Sequence, residues 1–330
     1  MSLRPEAGRD GRAVPVIDLA RDEAQVAREI DRACRAIGFL IIGNHGVPSA
    51  VIDSALASGR AFFRLPAEEK LRWRAPDGRI RGYLPPGGQA LARSRGDESP
   101  PDLLERFRMG RFDVPDDAYH RARASTWFVP NIWPAQPPGF AHALKAYFSA
   151  MEALSIRLMR LFALALDLPP RFFDDKIDRP ISNMYVNYYP AQRTPPQPGQ
   201  LRAGAHTDYG SLTILAPTEA PAGLQVRGRD GAWHDVAPPP GAFVINLGDL
   251  MAQWTNDRWV STMHRVVNPP REAAESDRMS LVFFHQPNDD AVIECLPSCC
   301  ADSPPKYAPV TSGEHQAGKL RRTFETRKSP

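Results

Sequence analysis

His206 and Asp208 stand two residues apart in AGAHTDYGSLTIL, directly ahead of an alternating apolar run. In an extended segment residues i and i+2 share a face, so both side chains are expected to point inward, followed on the same parity by Leu212 and Ile214. Such a pair could be half of a metal site or merely the hydrogen-bonded end of a strand, and the pair alone does not decide. The best third candidate is His264 in STMHRVVNP, where Val266 shares its parity. Two imidazoles and a carboxylate cover one face of an octahedron and leave three positions open, the arrangement used at non-haem Fe(II) centres. A structural zinc would instead be closed by four protein ligands.

Two further strands point the same way. In DRMSLVFFHQ the residues Arg278, Ser280, Val282 and Phe284 share one face. A guanidinium directed into a wall of valine and phenylalanine must meet an anion, either a protein carboxylate or a bound one. Its planar fork suits a carboxylate, and Ser280 can add a hydrogen bond. In MYVNYYP, Tyr185, Asn187 and Tyr189 alternate inward. Beside Arg278 they read as supporting donors for an oxygen-rich ligand, and alone as polar decoration of an edge strand.

The elements that must hold these residues follow from the pattern. Of the 330 residues 42% are hydrophobic and 24% charged, with a net charge of +3, the profile of a globular chain with no concentrated basic tract, so nucleic acid is not an expected partner. The start, MSLRPEAGRDGRAVP, lacks the apolar stretch of a secretory signal, and no uninterrupted apolar run is long enough for a bilayer. The expectation is a cytoplasmic protein without membrane contact, a monomer or weak homo-oligomer. The four cysteines show no metal-binding spacing, which agrees with reduced thiols. The 34 prolines, about twice the usual share, cluster at loops.

A strand over 14–19, a helix stopped by Gly38, the buried run FLIIG and a helix over 49–63 open the chain. Residues 73–135 predict loops and short elements. The longest helical pattern spans 139–168 and carries one apolar face from Phe140 to Leu164. After Pro180 short strands separated by glycine and proline predict an antiparallel sandwich or jelly roll. Two regions result, 1–135 covering the core and 136–330 forming the long helix and the β-core, within one continuous structural unit.

With these motifs in order (PVIDLA, ACRAIGFLIIGNHGVP, NYYP, HTDYGSLTIL, VINLGDL, WTND, STMHRV, RMS) the chain resembles the isopenicillin N synthase-like branch of the Fe(II)/2-oxoglutarate-dependent dioxygenases over nearly its whole length. The resemblance implies a mainly β fold with flanking helices, a cupin-like double-stranded β-helix with a helical N-terminal part. It implies that His206, Asp208 and His264 ligate Fe(II), and that Arg278 and Ser280 hold the distal carboxylate of 2-oxoglutarate with help from Tyr189. Asn187 would lie near the metal-bound end of that cosubstrate. O2 is the other cosubstrate, and succinate and carbon dioxide accompany oxidation of a C–H bond, by hydroxylation, desaturation or cyclisation, in a small metabolite or natural-product intermediate. The segment PPREAAESD is longer than such enzymes usually carry, and a register shift there would offer Arg271 in place of Arg278.

Other readings remain open at this point: an iron oxidase that does not use 2-oxoglutarate, a hydrolytic metal site, or a non-catalytic binding module. For the substrate, Tyr83 in RGYLP and Phe107 or Met109 in ERFRMG are expected at the barrel mouth, with Tyr185 and Phe284 from the core. Arg106 and Arg108 could meet an acidic substrate or be solvated. His45 and His234 read as structural, His285 as facing away from the metal, Asp249 and Asn256 as turn and capping residues, and His120, His142 and His315 as surface positions.

Overall fold

The computed structural model describes residues 13–74, 80–92, 99–301 and 303–325. The first twelve residues, including most of the stretch read above for a secretory signal, lie outside them. The chain begins with β1 (Val16–Asp18) and α1 (Glu23–Ala36), whose cap Asp22 accepts from the backbone N–H of Gln25 at 3.0 Å. Helix α1 ends where Gly38 adopts φ +65°, and a side chain there would collide with the carbonyl of Val260, so glycine is required for both reasons. Next come β2 (Phe39–Gly43), α2 (Ser49–Phe63) and α3 (Ala67–Leu71).

Within 73–135 the chain forms β3 (Gly82–Leu84), β4 (Glu105–Gly110) and α4 (Ala118–Ala122). All six residues of β4 are buried, so this region contributes a full sheet strand where loops and short elements were expected. Its alternating charge and apolar residues conceal it, because each face is buried in a different environment.

Helix α5 (Phe140–Ala165) is followed by β5 (Asn183–Tyr189), β6 (Ala203–His206), β7 (Leu212–Pro217), β8 (Leu224–Arg227), β9 (Trp233–Asp235) and β10 (Phe243–Leu247). The remainder comprises α6 (Asp249–Trp254), β11 (His264–Val266), β12 (Arg278–His285), β13 (Val292–Ile293), β14 (Val310–Thr311) and α7 (Ser312–Glu325).

Eight strands form one sheet in the order β1-β2-β10-β7-β12-β5-β4-β3, and four form a second in the order β6-β11-β8-β9. The two faces make a jelly-roll core. Strands from residues before 136 continue the larger sheet at both edges, β2 beside β10 and β4 beside β5. The main apolar core lies between that sheet and α1, α2 and α5, where Phe62, Phe107, Phe140, Phe148 and Met151 are buried. A second cluster, with Phe39, Ile41, Val226 and Val244, joins the two sheets. Among the described residues no helix is long and apolar enough to cross a membrane.

Candidate metal and cosubstrate site

The chain leaves the smaller sheet at His206 and enters the larger one at Leu212, and Asp208 sits in the connection between them. This corrects the strand-parity expectation: Leu212 and Ile214 pack into the helix-side core, while Thr213 and Leu215 face the cavity. Asp208 meets His206 because the connection turns, not because a strand continues. The turn is held by the start of α6, where the N–H of Asp249 donates to Asp208 O at 2.8 Å and that of Leu250 to Tyr209 O at 3.2 Å. Opposite, His264 on β11 pairs in register with His206 on β6.

One ligand atom from each of His206, Asp208 and His264 lies within 4.8 Å of the other two. Asp208 Oδ1 is 3.8 Å from His206 Nε2 and 3.7 Å from His264 Nε2. Each imidazole engages a backbone carbonyl through Nδ1, His206 to Gly204 at 2.8 Å and His264 to Thr262 at 3.1 Å. These bonds fix the tautomer that leaves Nε2 as the metal-facing lone pair. Asp208 Oδ2 accepts from Thr213 Oγ1 at 2.5 Å and from Asn246 Nδ2 at 2.7 Å, so Oδ1 is the oxygen turned to the histidines.

Burial would raise the Asp208 pKa, but His264, His206 and the bonds from Asn246 and Thr213 outweigh it and hold the carboxyl below its usual value. Burial, with His264 next, lowers His206 to about 4. Near neutral pH Asp208 is therefore an anionic carboxylate and His206 a neutral imidazole, the protonation states in which these two side chains can ligate a divalent cation.

The site opens into a cavity of about 560 Å³ between the sheets. Cross-strand pairs line it: Arg278 opposite Tyr189, Ser280 opposite Asn187 and Val282 opposite Tyr185. Arg278 is 3% exposed, its guanidinium 5.1 Å from the Tyr189 ring centroid. Burial lowers its pKa from the ordinary value, and Tyr189 opposes that. Arg278 Nη1, Ser280 Oγ and Asn187 Oδ1 are buried with no hydrogen-bond partner. The two donors left unsatisfied on one cavity wall, Arg278 Nη1 and Ser280 Oγ, fit an incoming carboxylate ligand. Arg271 lies elsewhere, donating to the carbonyls of Gln192 and Arg193.

Several expected positions differ. Phe107 and Met109 do not line the cavity; both are fully buried in the helix-side core, Phe107 against Phe62 and Phe140. On β4 the alternate residues Arg106 and Arg108 face the cavity instead. Tyr83 borders it, but its hydroxyl donates to Glu105 at 2.5 Å, and Glu105 in turn pairs with Lys70 at 2.6 Å. Tyr185 and Phe284 line the cavity, their ring centroids 4.9 Å apart. His120 is buried against Phe128 and paired with Asp117, not at the surface. His285 faces away from the metal residues and meets Ser211 Oγ at 2.7 Å.

Asn246, Thr213, Gln286, Gln316 and Leu320 also reach the cavity and were not singled out in the sequence. Asn246 left a readable trace, a lone amide in the apolar run AFVINLG on the opposite parity from Phe243, Ile245 and Leu247. Gln316 and Leu320 left none, because α7 reaches the cavity only through the path of the C-terminal chain.

Comparison with known proteins agrees with this geometry. Residues 14–136 match the family model for the non-haem dioxygenase in morphine synthesis N-terminal region, and residues 180–287 match that of the 2OG-Fe(II) oxygenase superfamily. The chain is 34% identical over 294 residues to validamycin A dioxygenase of Streptomyces hygroscopicus subsp. limoneus, covering 84% of this chain and 78% of that protein. It is 31% identical over 338 residues to a homoarginine-6-hydroxylase of Oryza sativa subsp. japonica, covering 96% and 99%. The crystal structure of a full-length Neurospora crassa protein in complex with alpha-KG and thymine superposes with a TM-score of 0.81 at 31% identity, covering 96% of this chain and 98% of that one. The chain thus belongs to the 2-oxoglutarate–Fe(II) oxygenase superfamily and is a dioxygenase that uses Fe(II), 2-oxoglutarate and O2.

Proposed function

We propose that this oxygenase hydroxylates an unactivated C–H bond of a small organic metabolite or natural-product intermediate, with His206, Asp208 and His264 holding Fe(II). Arg278 and Ser280 take the distal carboxylate of 2-oxoglutarate, Tyr189 supports the guanidinium, and Asn187 lies toward the keto-acid end. The observation that carries the assignment is the pair of unsatisfied buried donors, Arg278 Nη1 and Ser280 Oγ, on the wall of the cavity that also holds the triad. An arginine left so deep without an anion is costly, and a dicarboxylate cosubstrate removes that cost.

When bound, Fe(II) and 2-oxoglutarate supply the activation of dioxygen, with release of succinate and carbon dioxide. The chain's own residues supply the rest. Asn246 and Thr213 fix the Asp208 carboxylate, backbone carbonyls orient the two imidazoles, and Val282, Phe284 and Leu215 keep the space beside them apolar. In this reading 1–135 and 136–330 act as one unit, since β1 to β4 continue the sheet that carries Arg278.

The test is succinate release by protein supplied with Fe(II) and 2-oxoglutarate while candidate small molecules are screened. The expected result is release stimulated by one compound class with a product gaining one oxygen atom. Oxidation of a substrate with oxygen uptake but no succinate would instead identify an oxidase independent of 2-oxoglutarate.

A further inference from the structure

Four arginines are among the described residues that line the cavity, Arg74, Arg106, Arg108 and Arg278, of which Arg278 is the one assigned to the cosubstrate. Fe(II) and doubly charged 2-oxoglutarate balance one another, so their arrival does not answer the charge of an arginine elsewhere on the wall.

Arg106 is the most telling of these residues. It sits on β4 between Leu84 of β3 and Asn187 of β5, two strands from Arg278 on β12, and is 5% exposed. Its Nη1 donates to the neutral amide oxygen of Gln89 at 2.7 Å, and its guanidinium lies 5.0 Å from the Tyr185 ring centroid. Its Nε is buried with no partner, and no described carboxylate lies within ion-pair distance of it. Gln89 and Tyr185 therefore fix the orientation of the guanidinium without neutralising it. What they leave is the Nε–Nη2 edge, which receives a carboxylate side-on through two parallel N–H···O bonds. Leu84, Leu91, Val282, Phe284 and Leu320 supply apolar surface in the same cavity.

Resting on the Fe(II)/2-oxoglutarate reading above, we infer that Arg106 is a specificity-determining residue that binds a carboxylate of the primary substrate, which is a small organic acid with an apolar body. Arg278 keeps the cosubstrate, so the two acids are received by different strands.

The experiment offers the Fe(II)- and 2-oxoglutarate-loaded protein matched pairs of aromatic and alicyclic carboxylic acids and their primary amides, beginning with 3-phenylpropionate and 3-phenylpropionamide. Succinate release above the substrate-free rate is measured, and calorimetry on protein loaded with Zn(II) and 2-oxoglutarate reads binding without turnover. The expected result is at least a tenfold preference for acids over their amides in both readouts. Arg106→Gln lowers acid affinity at least tenfold and erases the preference, while its affinity for 2-oxoglutarate stays within twofold of wild type; Arg106→Lys falls between. Equal response to acids and amides, no response to any acid, or an acid preference that survives Arg106→Gln overturns the inference. Should Arg106→Gln not fold, the acid–amide comparison on the wild-type protein decides alone. Wild-type protein that fails to bind 2-oxoglutarate removes the underlying reading and this inference with it, whereas intact 2-oxoglutarate binding without acid preference removes this inference only.

Discussion

Asp208 has two oxygens with different tasks, and the residues behind it make the difference. Oδ2 is saturated by Asn246 and Thr213, which leaves Oδ1 for the metal face. Groups that orient a metal ligand typically change metal affinity by ten- to a hundredfold when removed. Asn246→Ala is therefore expected to weaken Fe(II) binding by about 10- to 100-fold while the fold persists, as read by anaerobic metal titration alongside circular dichroism. Asp208→Ala removes the ligand itself and should abolish iron-dependent succinate formation altogether. At this scale the sequence was informative where a residue's type is rare in its setting. An arginine and a serine among valines and phenylalanines stood out as candidates for an anion site, whereas a threonine such as Thr213, ordinary in any strand, did not stand out at all.

Elements explain why some residues could be located from spacing and others could not. Parity along β12 and β5 placed Arg278, Ser280, Val282, Phe284, Tyr185, Asn187 and Tyr189 on one wall, because both strands run unbroken. Parity failed at residues 206–215, where the chain changes sheets, and on β4, read as loops and short elements, the residues named for the barrel mouth, Phe107 and Met109, are the ones that face the helices. There both faces are buried, Phe107 and Met109 against helices and Arg106 and Arg108 against the cavity, so hydrophobicity named the helix-facing side. Strand β4 also depends on a buried ion pair, Lys70 with Glu105, whose side chains are 9% and 7% exposed. Replacing Lys70 by Met would leave the carboxylate buried with only Tyr83, at a cost of about 3–5 kcal/mol. Urea unfolding should show that loss, and Lys70→Met with Glu105→Gln should recover much of it.

On the scale of the whole molecule, strands from the N-terminal region flank the catalytic sheet on both edges, so the cavity is shaped by segments distant in sequence. The strand-rich texture after Pro180 made the jelly roll legible, but the edge positions of β2 and β4 depend on long-range pairing that local pattern does not record. Stability should also carry a pH signature. Burial lowers His285 to about 3, against about 6.5 for an exposed histidine. Below pH 6.5 the unfolded chain takes up a proton that the folded chain refuses until about pH 3, so this residue's contribution to stability declines as pH falls through that window. Denaturant titrations of wild type and His285→Gln across the window should show a shallower decline in the variant; parallel curves would mean that His285 is not buried neutral.

The central claim is that one cavity binds iron through the triad and 2-oxoglutarate through Arg278. Anaerobic calorimetric titration of 2-oxoglutarate into the Fe(II)-loaded protein, the metal-free protein and Fe(II)-loaded Arg278→Ala tests it most directly. The account predicts one metal-dependent site in the wild type and, from the cost of about 3–5 kcal/mol for orphaning a buried charge, binding at least about a hundredfold weaker in Arg278→Ala. Equal affinity in all three samples would contradict it.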